Sequence, residues 1–177
     1  MWVGVDICNT IANVNLQLIK CFGMEAYDKY PYSGIPQDYF STNAGLLTLW
    51  QAEPFPKAVQ TLNGLKNKGY KIAYVTSRSK LSRFITKRWL TIHRFPTGPV
   101  FFISQAEKGH FAVRKGMTMF FEDEPNTAQE LLNLGIQVFL KDWQYNNQVC
   151  GENLVRFKSW RDISLSDWRI NHDHSKK

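Results

Sequence analysis

The chain is predicted to fold as an α/β domain with a doubly wound parallel sheet and a small helical cap inserted after the first strand. Three observations lead there. Short apolar runs alternate with stretches of helical period. The runs are apolar at successive positions, the pattern of strands covered on both faces, which belong to parallel sheets. Two of them, Trp2-Val3-Gly4-Val5 and Met117-Thr118-Met119-Phe120-Phe121, lead directly into acids, Asp6 and Glu122-Asp123. The carboxyl ends of parallel strands converge on one crevice, so these two acidic points are expected to meet there, as a Mg2+ site and an aspartyl nucleophile would require.

Five runs read as strands: Trp2 to Val5, Tyr70 to Val75, Val100 to Ile103, Met117 to Phe121 and Ile136 to Leu140. Lys57 to Lys68 places Ala58, Leu62 and Leu65 on one stripe and stops at Gly69. Ser79 to Ile92 places Leu81, Phe84, Ile85, Trp89 and Ile92 on one stripe, with most of the basic residues opposite. Pro125 to Leu134 carries Ala128, Leu131 and Leu132, with Pro125 at its start and Gly135 just past its end. Strands and helices in alternation predict right-handed crossovers.

The stretch between the first two strands is too long for a simple crossover. Residues 14–55 hold a helical opening (Val14, Leu16, Leu18, Ile19, Phe22), an aromatic and proline-rich segment from Tyr27 to Pro36, and an apolar patch from Leu46 to Trp50. A structureless loop of that length is unusual in a compact domain, so the stretch reads as a mostly helical cap placed to cover the crevice. Its aromatics, Tyr27, Tyr30, Tyr32, Tyr39, Phe40 and Trp50, are of the type that stacks a nucleobase, yet a cap needs its own core and packing is favoured for most of them. The polar tail, residues 170–177, is expected to be disordered.

With 177 residues the chain fits a single domain, 1–177, that buries roughly two thirds of its unfolded surface. Its three cysteines, Cys8, Cys21 and Cys150, form no C-x-x-C pair, which argues against a disulfide framework or a zinc ribbon and for a reducing, cytoplasmic location. No apolar run approaches the about 18 residues of a membrane span, and no charged segment with an apolar core precedes the first strand, so neither membrane insertion nor export is expected. The formal charge of +7 favours an anionic partner: a nucleotide, a nucleic-acid end or bulk polyanion. Much of it lies in Arg78, Lys80, Arg83, Lys87, Arg88 and Arg94, read as the solvated face of a helix in preference to a nucleic-acid groove.

Four segments stand in order at strand ends: Val5-Asp6-Ile7-Cys8-Asn9-Thr10, Ala73-Tyr74-Val75-Thr76-Ser77-Arg78, Lys108, and Phe121-Glu122-Asp123-Glu124-Pro125. Together they resemble the haloacid dehalogenase superfamily of aspartyl-nucleophile phosphatases, and within it the small-capped 5'(3')-deoxyribonucleotidase-like branch. The first is similar to the motif D-x-D-x-T, the second to a strand ending in Thr or Ser, and the last two to the third-motif lysine and the acidic fourth motif. Trp143-Gln144-Tyr145-Asn146 and Phe157-Lys158-Ser159-Trp160 are similar to that branch's closing segments, so the resemblance runs from Val3 to about Trp160.

The resemblance implies a small phosphorylated substrate, first of all a nucleotide, attacked by Asp6 to give an aspartyl-phosphate that water hydrolyses. Mg2+ would be held by Asp6, Asp123, the backbone carbonyl of Cys8 and water, with Glu122 outside that set. Thr76 would donate to a phosphoryl oxygen, Lys108 would neutralise charge on phosphate and nucleophile, and Ser77 and Arg78 would help hold the substrate. Each residue also has a commoner role when taken alone. Asp6 and Asp123 could be strand-end caps, Thr76 a helix cap, and Asn9 and Asn13 backbone partners in a strand-to-helix turn. Lys115 competes with Lys108 for the lysine role.

Cys8 is the departure from the motif. In the family the acid two residues after the nucleophile moves protons to and from the reacting oxygens, a contribution of about 10^2 to 10^4 in rate. A thiol with an ordinary pKa of about 8.5 is a poor match for that task. Three readings follow: a phosphomonoesterase that is slow or restricted to good leaving groups, one with a substitute acid, or a protein that binds phosphate or nucleotide without turnover. A nucleic-acid-end phosphatase is a further alternative, suggested by charge alone.

Overall fold

The computed structural model describes residues 1–23 and 34–164; the predicted tail and the cap residues Tyr27, Tyr30 and Tyr32 lie outside them. The strands are β1 (Trp2–Val5), β2 (Lys71–Thr76), β3 (Val100–Phe102), β4 (Met117–Glu122), β5 (Gln137–Lys141) and β6 (Leu154–Phe157). The helices are α1 (Val14–Phe22), α2 (Asn43–Gln51), α3 (Ala58–Asn67), α4 (Arg83–Ile92), α5 (Lys108–Arg114) and α6 (Pro125–Asn133). All six strands join one parallel sheet in the order β3-β2-β1-β4-β5-β6. The chain winds outward from β1 to β3 and then crosses to β4, so the switch point lies between β1 and β4, the two strands that end in acids. Among the described residues no helix is long and apolar enough to cross a membrane.

Alternation along the strands divides the core in two. Val3, Val5, Ile72, Tyr74, Met119, Phe121 and Phe139 belong to one buried cluster, and Ala73, Val75, Phe120, Val138 and Leu140 to the other. Successive side chains of a strand point to opposite faces, so the sheet is covered on both sides, which is why its strands read as continuous apolar runs.

The five predicted strands are present with ends moved by about a residue, and a sixth, β6, was not predicted. Arg156 interrupts its apolar pattern and Val155 is 40% exposed, as befits an edge strand covered on one side only. The predicted helix from Ser79 is also corrected. It opens with a 3-10 turn, Lys80–Ser82, and α4 buries Thr86, Trp89 and Leu90, whereas Leu81, Phe84 and Ile92 are exposed. The rotation has a polar cause: the Trp89 indole donates to the Ala52 carbonyl at 2.8 Å, and Thr86 receives the buried Arg78 guanidinium at 3.2 Å. Arg78 therefore leaves the solvated face assigned to it with its basic neighbours.

Residues 14–55 hold α1, a 3-10 turn at Tyr39–Ser41, and α2. Asn13 caps α1 by accepting from the Leu16 N–H, and Thr42 caps α2 by accepting from the Gly45 N–H. The excursion is stitched back to the first turn where Asn13 N–H donates to the Glu53 carbonyl and Phe55 N–H to that of Ile11. Tyr39 packs edge-on against Phe22 and Phe40 and its hydroxyl meets Thr48 at 2.7 Å, so its role is packing, while Phe40 and Trp50 stay half-buried.

Gly4, in the strand that carries Asp6, has no room for a side chain: a Cβ there would lie 2.3 Å from the Phe120 ring and 3.0 Å from the Met117 sulfur. Gly4→Ala is expected to lower stability by about 1–3 kcal/mol through overpacking, read as a reduced urea midpoint; an unchanged midpoint would contradict this packing.

Candidate active site

The turn after β1 is held from several directions. Asp6 N–H donates to the Phe121 carbonyl at 2.9 Å, extending the register with β4 up to the second acidic point. Asn9 takes a left-handed conformation (φ 54°) and its side chain accepts from the Asn15 N–H at 2.9 Å, so it serves the turn. Two indoles clamp the next carbonyls: Trp143 donates to Asn9 O at 3.0 Å and Trp160 to Thr10 O at 2.9 Å.

Asp6, Glu122 and Asp123 are all buried, and each offers a carboxylate oxygen within 4.8 Å of the others. Lys108, at the first turn of α5, reaches Asp6 Oδ1 at 2.6 Å and Glu122 Oε2 at 3.1 Å. The second Glu122 oxygen accepts the backbone N–H groups of Asp123 and Glu124 at 3.1 and 3.2 Å. Asp123 accepts the Thr10 hydroxyl at 2.8 Å and the Tyr145 phenol at 2.5 Å, and its backbone carbonyl accepts the Asn146 amide at 2.8 Å. These contacts fix the carboxylates before any ligand arrives.

Their charge is not balanced. Burial raises all three carboxyls above the ordinary range: Asp6 in spite of Lys108, Glu122 well above it, and Asp123 up to about 7, helped by the negative charge of Asp6. Burial works against the Lys108 ammonium as well, but Asp6 and Glu122 outweigh it and hold its pKa above the usual lysine value. The set therefore offers oxygen ligands and an excess of negative charge, which fits a hard divalent cation such as Mg2+.

A cavity of about 350 Å3 opens over this set, lined by Asp6, Cys8, Ser77, Arg78, Lys108 and Asp123 on the sheet side, with Phe40 and Leu49 contributed by the insertion. Six of the predicted site residues thus meet. Thr76 is buried at the end of β2 but does not line the cavity; its hydroxyl accepts the Arg78 N–H at 3.3 Å, while the exposed Ser77 faces the opening. Of the two candidate lysines, Lys108 is the one that contacts Asp6, whereas Lys115 lies over the rings of Phe101 and Phe111. Glu122 joins the carboxylate set instead of standing outside it. The Cys8 thiol accepts Arg78 Nε at 3.1 Å, and burial pushes its pKa up, opposed by Arg78. Sequence reasoning gave no role to Thr10, Trp143, Tyr145, Asn146 or Trp160; the closing segments that contain four of them were the available signal.

Comparison with known proteins agrees with this arrangement. A haloacid dehalogenase-like family hydrolase from Streptococcus pneumoniae superposes with a TM-score of 0.57 at 13% identity, covering 89% of this chain and 93% of that one. The chain has the haloacid dehalogenase fold. A D,D-heptose 1,7-bisphosphate phosphatase from Burkholderia thailandensis shares it, with a TM-score of 0.54 at 12% identity over 90% of this chain and 93% of that one. In sequence, a putative nucleotidase from Bacillus cereus is 28% identical over 165 residues, 91% of this chain and 80% of the relative. A family model described as PITM 1-3, LNS2 domain matches residues 42–120, less than half of the chain. The resemblance to the haloacid dehalogenase superfamily and its nucleotidase-like branch is borne out.

The raised carboxyls have a measurable consequence. A carboxyl held at about 7 in the folded state keeps a proton that the unfolded chain has lost above about pH 4. The metal-free protein is therefore expected to lose stability as pH rises from about 4 to 7, and Mg2+ to raise the melting temperature more at pH 7.5 than at 5.5. Equal Mg2+ effects at both pH values would contradict the shared acidic site.

Proposed function

We propose that the protein is a Mg2+-dependent phosphatase that removes a phosphoryl group from a nucleotide or similarly small phosphorylated metabolite through Asp6. The observation that carries this reading is the meeting of Asp6, Glu122 and Asp123 with Lys108 at the floor of one cavity on the sheet's switch point. Nucleotidase-named relatives and one phosphatase-named structural neighbour support the reaction class. Mg2+ would be held by Asp6, Asp123 and Glu122 together with the Cys8 carbonyl, and would supply charge neutralisation at the phosphoryl group.

The chain's own residues divide the remaining work. Asp6 attacks phosphorus and carries the phosphoryl group as an aspartyl-phosphate until water releases it. Lys108 aims the attacking carboxylate and lowers the repulsion between it and the incoming phosphate. Ser77 offers a hydroxyl at the opening, and Thr76 orders the backbone that carries Arg78. Thr10 and Tyr145 hold Asp123 in its rotamer. The insertion acts as a cap whose Phe40 and Leu49 give the cavity an apolar wall suited to a base or another organic group. The cavity volume, about 350 Å3, lies within the usual range for small-molecule sites.

Cys8 favours one second reading: a cradle that binds phosphate with Mg2+ and does not turn it over. A single assay separates the two. Mg2+-dependent phosphate release from p-nitrophenyl phosphate is expected, with Asp6→Asn reducing it by at least about 10^3-fold and Lys108→Met by about 10^2 to 10^3-fold. Binding of Mg2+ and orthophosphate with no release above the Asp6→Asn background would favour the binding reading.

A further inference from the structure

Arg78 is only 7% exposed, yet its Nη2 has no hydrogen-bond partner among the described residues. Its other donors go to neutral groups, Nε to the Cys8 sulfur at 3.1 Å and Nη1 to the Thr86 hydroxyl at 3.2 Å. Among the described residues no carboxylate forms an ion pair with it. A buried guanidinium with no carboxylate in direct contact is under-satisfied even with the charge of Asp6 at longer range, and this one lines the same cavity as Asp6. Lys108, the other buried cation at the cavity, is already shared between Asp6 and Glu122. The cavity thus has a place for one more anionic group, supplied from outside.

That place coincides with the departure from the motif. Beside Arg78 stands a thiol, a weak hydrogen-bond donor, and a guanidinium contributes hydrogen bonds and charge and is not a general acid. Such a pair stabilises a leaving group that departs already charged and does little for one that must be protonated. An alkyl phosphoester expels an alkoxide about as basic as hydroxide, a base far too strong to depart readily at neutral pH without a proton. A phosphoanhydride expels a phosphate whose second pKa is about 6. Resting on the phosphatase reading above, we infer that Arg78 receives the anionic leaving group and that the substrate is a phosphoanhydride, with a nucleoside diphosphate the form that also uses the apolar wall.

The chemistry balances without a proton donor in the first step. Asp6 forms a bond to the terminal phosphorus as the bond to the bridging oxygen breaks, and that electron pair stays on the departing nucleoside monophosphate, held by the Arg78 guanidinium. Water then attacks the aspartyl-phosphate, returning the Asp6 carboxylate and releasing phosphate and one proton to solvent. Nothing is oxidised or reduced.

The test compares Mg2+-dependent phosphate release from a nucleoside diphosphate, inorganic pyrophosphate and a nucleoside monophosphate by the full chain, with Asp6→Asn as the blank. The diphosphate is expected to exceed the monophosphate in kcat/KM by about 100-fold or more, the range a missing general acid would impose. Arg78→Ala should cost the diphosphate about 100-fold and the monophosphate less than about tenfold. Cys8→Asp should raise the monophosphate rate selectively. Pyrophosphate cleaved as well as the nucleoside diphosphate supports the inference and makes the anhydride the recognised feature; a preference for the nucleoside diphosphate supports it and adds the nucleoside. Asp6-dependent hydrolysis of the monophosphate at an equal or higher rate overturns the inference and leaves the phosphatase reading standing. Equal losses on both substrates in Arg78→Ala overturn it too, and if that variant does not fold, the ratio in the unaltered chain decides. No Asp6-dependent release from any of the three removes both readings.

Discussion

The 2.6 Å contact between Lys108 and Asp6 is the interaction around which the site is organised. It joins the end of the central strand to the first turn of a helix more than a hundred residues later, and it is buried at both ends. Removing one partner of such a pair strands the other charge in a low-dielectric setting, so the contact constrains the fold as strongly as it constrains chemistry. It also leaves two further carboxyls, Glu122 and Asp123, with too little positive charge nearby. The imbalance makes the cluster suited to a cation, and the surrounding donors from Thr10, Tyr145 and the backbone hold the oxygens in place.

Much of this was legible in the chain itself. A parallel sheet covered on both faces writes itself as near-continuous apolar runs, and carboxylates at the ends of two such runs locate the crevice with little ambiguity. What escaped was whatever depends on rotation or on a distant partner. The stripe on α4 was misplaced because a helix is turned by its buried polar contacts as well as by its apolar residues, and the Thr86 and Trp89 hydrogen bonds join segments that one-dimensional periodicity treats separately. Strand β6 was hidden by Arg156, whose guanidinium is spent on Asp142, Asn146 and nearby backbone carbonyls. Lys108 and Lys115 are alike in residue type; spacing in the sequence favours Lys108, and the path of α5 brings it, not Lys115, to Asp6.

Cys8 shows how a motif can change one function and keep another. The turn that carries it is intact, the carboxylate set does not need its side chain, and the Arg78 guanidinium has turned toward the sulfur. On the proposed reading, a thiol here changes how protons and charge are handled, while the carboxylate grouping of Asp6, Glu122 and Asp123 does not depend on it. A carboxylate at that position would be a natural partner for Arg78, and the thiol is a weaker one.

The two indole clamps carry a separate consequence for how the molecule can be divided. Trp143 and Trp160 hold the carbonyls of Asn9 and Thr10 across 134 and 150 residues of sequence. The loop that follows Asp6 is thus completed by the far end of the described chain, and neither half contains the whole arrangement. Excision of the closing segments would remove both indole clamps from the Asp6 turn, and during synthesis that turn keeps its local contacts but lacks these two until the last described residues have emerged.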